Sequence, residues 1–176
     1  MKQRPLMSSI LSVMVCFVLL AVISGCKKSE EVLPDPTGVL LQSTGCKAVQ
    51  SDNGLNGTLD EGVDDCIEYS FDGQSTLVLK HINAGFNCCP GEVTAEITFN
   101  GNVVTIEEAE SDQGCHCLCL FDLDFEVVNL KPGVYSIRII EPYVEDGNQV
   151  LEFDLNLVST STGRFCLNRT YYPWIK

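Results

Sequence analysis

The sequence predicts an all-β fold: a single antiparallel β-sandwich of seven or eight short strands, braced by disulfides. Three observations carry this expectation. Apolar and polar residues alternate with period two over repeated short runs, which is the signature of half-buried strands. Turn residues punctuate those runs at regular intervals. Eight cysteines lie from Cys46 onward, an even number in a chain that starts with a secretory leader, which points to a disulfide framework.

The elements follow in chain order. Ile67–Phe71 and Thr76–Ile82 flank the turn Asp72-Gly73. Val93, Ala95, Ile97 and Phe99 share one face of the next run, and Thr94, Glu96 and Thr98 the other. Asn100-Gly101 before Val103 predicts a hairpin through a type I′ turn, because that turn needs positive φ at both central residues. Phe121, Leu123, Phe125 and Val127 alternate with Asp122, Asp124 and Glu126. Pro132-Gly133 breaks the chain before the strand Val134–Ile140. Leu151, Phe153, Leu155 and Leu157 alternate with Glu152, Asp154 and Asn156. Each run offers one dry face and one wet face, as two antiparallel sheets packed face to face require. No run of twelve residues has a helical period, and there is no internal repeat.

The first 25 residues read as a signal peptide. Lys2 and Arg4 form a basic start, an apolar stretch runs from Ile10 to Ile23, and Ser24-Gly25 places small residues at the cut. The apolar stretch is short of the roughly 20 residues that cross a bilayer. Ile23-Ser24-Gly25-Cys26 resembles the lipobox of bacterial lipoproteins. That resemblance implies removal of residues 1–25, lipidation of Cys26 and a membrane anchor of acyl chains. Residues 26–37 then form a lipidated tether, with Pro34-Asp35-Pro36 stiffening it, and 38–176 form the domain. About ten extended residues at ~3.3 Å each hold the domain roughly 30 Å from the membrane. Lys27-Lys28-Ser29-Glu30-Glu31 resembles a surface-export signal of lipoproteins in some Gram-negative bacteria, and no Asp follows Cys26 directly. The resemblance implies the outer membrane, and exposure at the cell surface.

Charge narrows the partners. The chain carries −13, and residues 1–25 contain two basic residues and no acid, so their loss leaves −15. No basic patch exists to neutralise phosphates, which excludes nucleic acid as a partner. The same charge repels anionic headgroups, so membrane attachment falls to the lipid.

Leu130-Lys131-Pro132-Gly133-Val134-Tyr135-Ser136-Ile137 resembles a turn-plus-strand pattern of immunoglobulin-like and fibronectin type III-like modules. The resemblance implies an immunoglobulin-like sandwich in which the Tyr135 hydroxyl bonds back to the preceding corner.

The domain cysteines are Cys46, Cys66, Cys88, Cys89, Cys115, Cys117, Cys119 and Cys166. If Cys115-His116-Cys117-Leu118-Cys119 is extended, its three cysteines lie about 6.6 Å apart on one face. A bridge needs Cβ atoms about 3.8 Å apart, so each of the three needs a distant partner. Cys88 and Cys89 are adjacent and also look outward. Cys46 with Cys66, Cys119 with Cys166, and Cys88 and Cys89 with Cys115 and Cys117 in either order are the preferred pairs. The competing reading is a copper or zinc site at Cys115–Cys119, since soft thiolates with a nearby His suit those ions.

Asp52-Asn53-Gly54-Leu55-Asn56-Gly57-Thr58-Leu59-Asp60 partly resembles an EF-hand calcium loop. The resemblance implies Asp52, Asn56 and Asp60 as ligands, with Asp64 and Asp65 supplying further oxygens. Gly54 and Val63 occupy positions where the family has ligands, and the alternative is a polar turn-rich loop. No other cofactor is expected. His81 continues the face of Leu77 and Leu79, so it reads as a packed histidine rather than a general base. No Gly-x-Ser-x-Gly, phosphate loop or His-Glu-x-x-His is present, and the expectation is a protein that is not an enzyme. Tyr171, Tyr172 and Trp174 form the densest aromatic run, which suits either a glycan or protein partner or packing at the end of the core. The stretch from Asn87-Cys88-Cys89-Pro90 through Cys117-Leu118-Cys119 to Tyr172-Pro173-Trp174 resembles small envelope lipoproteins of unknown function. The expected function is therefore a lipid-anchored, non-catalytic binding or structural module, with metal handling as the alternative.

Overall fold

A computed structural model describes residues 34–47, 63–111, 114–144 and 149–169. They form an all-β, disulfide-braced sandwich with nine strands among the described residues: β1 Thr37–Ser43, β2 Val63–Phe71, β3 Leu77–Asn87, β4 Val93–Asn100, β5 Val103–Glu110, β6 Leu118–Val128, β7 Val134–Ile140, β8 Leu151–Asn156 and β9 Ser161–Arg169. One sheet has the order β1-β6-β3-β2-β9 and the other β4-β5-β7-β8. Every pairing is antiparallel except β5 with β7, which run parallel.

The alternating runs put their apolar faces where the sequence predicts. Phe121, Leu123, Phe125 and Val127 are buried, as are Leu151, Phe153, Leu155 and Leu157. The face of Val93, Ala95, Ile97 and Phe99 is half-buried and packs on the same core. Phe153 of the four-stranded sheet stacks on Phe165 of the five-stranded sheet, ring centroids 4.8 Å apart, and its centroid lies 6.4 Å from that of Tyr69. These ring contacts join the two sheets.

Local chemistry sets the turns. The β4–β5 hairpin closes on the pair Asn100↔Val103, so its two loop residues are Gly101 and Asn102. Gly101 has φ +59°, while neither Asn100 nor Asn102 has positive φ. Glycine at the first central position is the type II′ arrangement, so the expected type I′ turn is corrected by one residue and one type. Asp72 Oδ1 accepts the backbone N–H groups of Gln74, Ser75 and Thr76 at 2.7, 2.9 and 3.0 Å, which closes the β2–β3 turn. Those bonds to Thr76 and Gln74 hold its carboxyl below the usual range. The Tyr135 hydroxyl donates to the carbonyl of Lys131 at 2.8 Å, which is the corner contact expected of it.

Two strands lack a full period-two apolar stripe. β1 starts at Thr37, the last residue of the expected tether, and exposes Val39 and Leu41 on a sheet edge. β9 carries Phe165 and Leu167 on its inner face, but Gly163 interrupts the apolar run. Gly163 pairs with Tyr69, and a Cβ added there would stand 2.5 Å from the Tyr69 hydroxyl and 2.7 Å from its ring. Gly163→Ala is expected to destabilise the domain by about 1–3 kcal/mol through overpacking. Denaturant titration reads the loss, and a Tyr69→Ala background should abolish it. A loss of the same size in both backgrounds would show that ring contact is not the cause.

Candidate functional site

Two clusters of chemically distinctive side chains stand out among the described residues. The first is the cysteine end of the sandwich. The pairs are Cys46–Cys119, Cys66–Cys166, Cys88–Cys117 and Cys89–Cys115. Cys88 and Cys89 do take Cys117 and Cys115, as preferred. The expected pairs Cys46–Cys66 and Cys119–Cys166 are corrected. The reason is register: β2 and β9 align so that Cys66 stands directly opposite Cys166, with Cα atoms 4.1 Å apart. That leaves Cys119, at the start of β6, facing Cys46 in the segment after β1, whose Lys47 bridges to Leu120. The three cysteines of 115–119 also do not share one extended face, because β6 begins only at Leu118. Cys115 and Cys117 lie in the preceding loop, held by Cys88 N–H to the Cys117 carbonyl and by the Asn87 side chain to the Cys115 carbonyl. A sulfur in a disulfide lacks the thiolate charge that binds copper or zinc, so the metal reading of Cys115–Cys119 gives way to cross-links.

The second cluster lies between the sheets, and five strand runs converge on it. In each, a polar residue takes the next inward position of an otherwise apolar stripe. Asp65 precedes Ile67 on β2, and His81 follows Leu77 and Leu79 on β3. Glu108 follows Val104 and Ile106 on β5, Glu141 follows Ile137 and Ile139 just past β7, and Arg169 follows Phe165 and Leu167 on β9. All five side chains are buried. The imidazole stands at the centre. His81 Nδ1 lies 2.7 Å from Glu108 Oε1, and Nε2 lies 2.7 Å from Asp65 Oδ1 and 3.3 Å from Glu141 Oε1. Arg169 Nε donates to Asp65 Oδ2 at 2.8 Å, and its Nη2 is 2.7 Å from the same oxygen and 3.7 Å from Glu141 Oε2. Neither oxygen of Glu141 has a partner in hydrogen-bonding geometry, nor has Glu108 Oε2.

Burial of charge is costly unless partners compensate it. For His81, burial alone would lower the pKa. The Glu108 charge, the bonds to Asp65 and Glu108 and the nearby Glu141 carboxylate outweigh burial and hold it well above the ordinary value, so the ring favours its imidazolium form. Glu141 behaves oppositely. Burial pushes its carboxyl up to about 7, against the pull of His81, because Asp65 and Glu108 add like charge. Histidine packing was legible in the sequence, but its company was not. The available signal was a charged residue in the dry phase of a stripe, as in Val104-Ile106-Glu108.

The remaining sequence-predicted sites divide simply. Asp64 and Asp65 are adjacent on β2 and face opposite sides. Asp64 is exposed and accepts from Asn168, whereas Asp65 turns inward to His81, so these two candidate oxygen donors face apart. Cys26, Asp52, Asn56, Asp60, Tyr171, Tyr172 and Trp174 lie outside the described residues. No protein-family model, curated protein or solved structure matches this chain.

Proposed function

We propose that the chain is a lipid-anchored lipoprotein of a Gram-negative outer membrane, presenting a stiff, non-catalytic module that binds or scaffolds a protein or glycan partner. The observation that carries this is the pairing of all eight domain cysteines behind a lipobox-like leader. Such cross-links persist outside the cytoplasm and are reduced within it. Three of them, Cys46–Cys119, Cys88–Cys117 and Cys89–Cys115, gather at one end of the sandwich, with the sulfurs of Cys46, Cys88 and Cys119 within 4.8 Å of one another. They stiffen the segments entering β6, the kind of rigid loop support on which recognition surfaces are built.

The anchor is tested by fractionation. Cys26→Ser is expected to move the protein from the detergent phase to the aqueous phase and to leave a longer, unacylated N-terminus in its mass spectrum. An unchanged partition, or a wild-type mature mass without acyl chains, would overturn the anchor. Protease treatment of intact cells then reads which membrane face the module occupies.

A further inference from the structure

We propose that the buried cluster is a binding site for one divalent first-row metal ion, zinc being the probe of choice, with Asp65 Oδ1, His81 Nε2 and a Glu141 oxygen as its protein ligands. These three ligand atoms lie within 4.8 Å of one another. Neither Asp65 nor Glu141 is a surface acid, since both are buried. The independent pointer is Glu141: its side chain is 1% exposed, and its oxygens hold only ion-pair contacts outside hydrogen-bonding geometry, 3.3 Å to His81 Nε2 and 3.7 Å to Arg169 Nη2. A buried carboxylate left in that condition is costly, and a coordinated cation removes the cost.

The outer contacts are those a metal-bound imidazole and carboxylate need. Glu108 Oε1 at 2.7 Å from Nδ1 fixes the proton there and turns Nε2 toward Asp65 and Glu141. Arg169 occupies the far oxygen of Asp65, leaving Oδ1 to face the ring. With His81 neutral, three carboxylates stand against one guanidinium, and a dication cancels the remaining two negative charges. One nitrogen and two oxygens suit zinc, which takes three protein ligands and leaves a fourth position open. The short contact between Nε2 and Oδ1 must widen by about half an ångström to admit an ion at ~2.0 Å from each. Because the five side chains are buried, the ion loads as the two sheets close. This proposal does not depend on the lipid anchor.

The test uses the full protein in detergent. It is unfolded with its disulfides intact and refolded with chelator or with a slight excess of ZnCl2. The expected result is one zinc per chain after desalting. Melting temperature should rise by about 5–10 °C at a hundred-fold excess over Kd. X-ray absorption should show only nitrogen and oxygen neighbours near ~2.0 Å, without the ~2.3 Å sulfur shell. Glu141→Gln keeps the shape and should weaken zinc at least ten-fold, while Glu152→Gln, on the wet face of β8, should leave it unchanged. No zinc retained, a sulfur shell, or equal affinity in Glu141→Gln would each overturn the site. Should Glu141→Gln fail to fold, the wild-type stoichiometry and absorption spectrum decide alone.

Discussion

Replacing Cys66 and Cys166 together by alanine is expected to lower unfolding free energy by about 4 kcal/mol. The two residues are 100 apart in sequence, and closing a loop of that size removes roughly 4–5 kcal/mol of unfolded-chain entropy in the loop-closure model. The Cys88–Cys117 link offers a shorter path round the loop, but the dependence is logarithmic, so the figure falls only slightly. Against a total of about 5–15 kcal/mol for an ordinary domain, the change is large. The bond also lies where the fold uses it. Cys66 is buried, and the Arg164 guanidinium reaches both sulfurs at 3.1 Å. Guanidinium titration of the double variant measures the loss. In the same preparations, the intact mass of the wild-type domain should sit eight hydrogens below its fully reduced mass, and full reduction should unfold it. A loss under about 1 kcal/mol, or free thiols in protein isolated without reductant, would refute the bracing role.

Metal-free protein should be more stable near pH 5 than near pH 8. Both shifted groups in the buried cluster act in that direction. Glu141 titrates near 7 in the folded protein and near 4.5 when unfolded, so between those values the folded state holds the extra proton. Stability from this group is present below about 4.5 and is lost as pH rises through about 7. His81 is raised well above 6.5, so its contribution is complete below 6.5 and falls away as pH climbs through the folded value. A shift of two to three pH units corresponds to about 3 kcal/mol for Glu141 alone. Its coupling to His81 shares that amount between the two. At the acid end, carboxyls held low, such as Asp72, reverse the trend once they take up protons. Thermal melts from pH 4 to 9 in chelator should therefore show a maximum on the acid side of neutrality. Glu141→Gln should flatten the slope between pH 5 and 7 while leaving the steeper loss above it. A wild-type maximum above pH 8 would remove the basis for this behaviour.

Much of the fold was legible because burial on a strand is a local property. Leu151, Phe153, Leu155 and Leu157 announce their inward face in their own spacing, and so do Phe121, Leu123, Phe125 and Val127. β9 was not legible, because Gly163 breaks its apolar stripe to make room for Tyr69. The hairpin at Gly101 was placed one residue early, because an Asn-Gly pair suits either turn type until the strand register chooses between them. In the cluster, His81 was found as a packed residue, but Glu108, Glu141 and Arg169 were not singled out. Each belongs to a different strand, and nothing within a strand says that its last inward position meets four others.

The amino-acid order by itself determined which side of most strands is dry, where several turns fall, and that eight cysteines lie from Cys46 onward. Only the tertiary structure decided which sulfurs meet and which charges share the interior. The reason is register. Asp65 and Arg169 are 104 residues apart, and Cys66 and Cys166 are 100 apart, yet one alignment of β2 on β9 brings both pairs together. Sliding that pairing by one residue would turn every inward side chain of β9 outward, so the packing of the whole core selects the alignment.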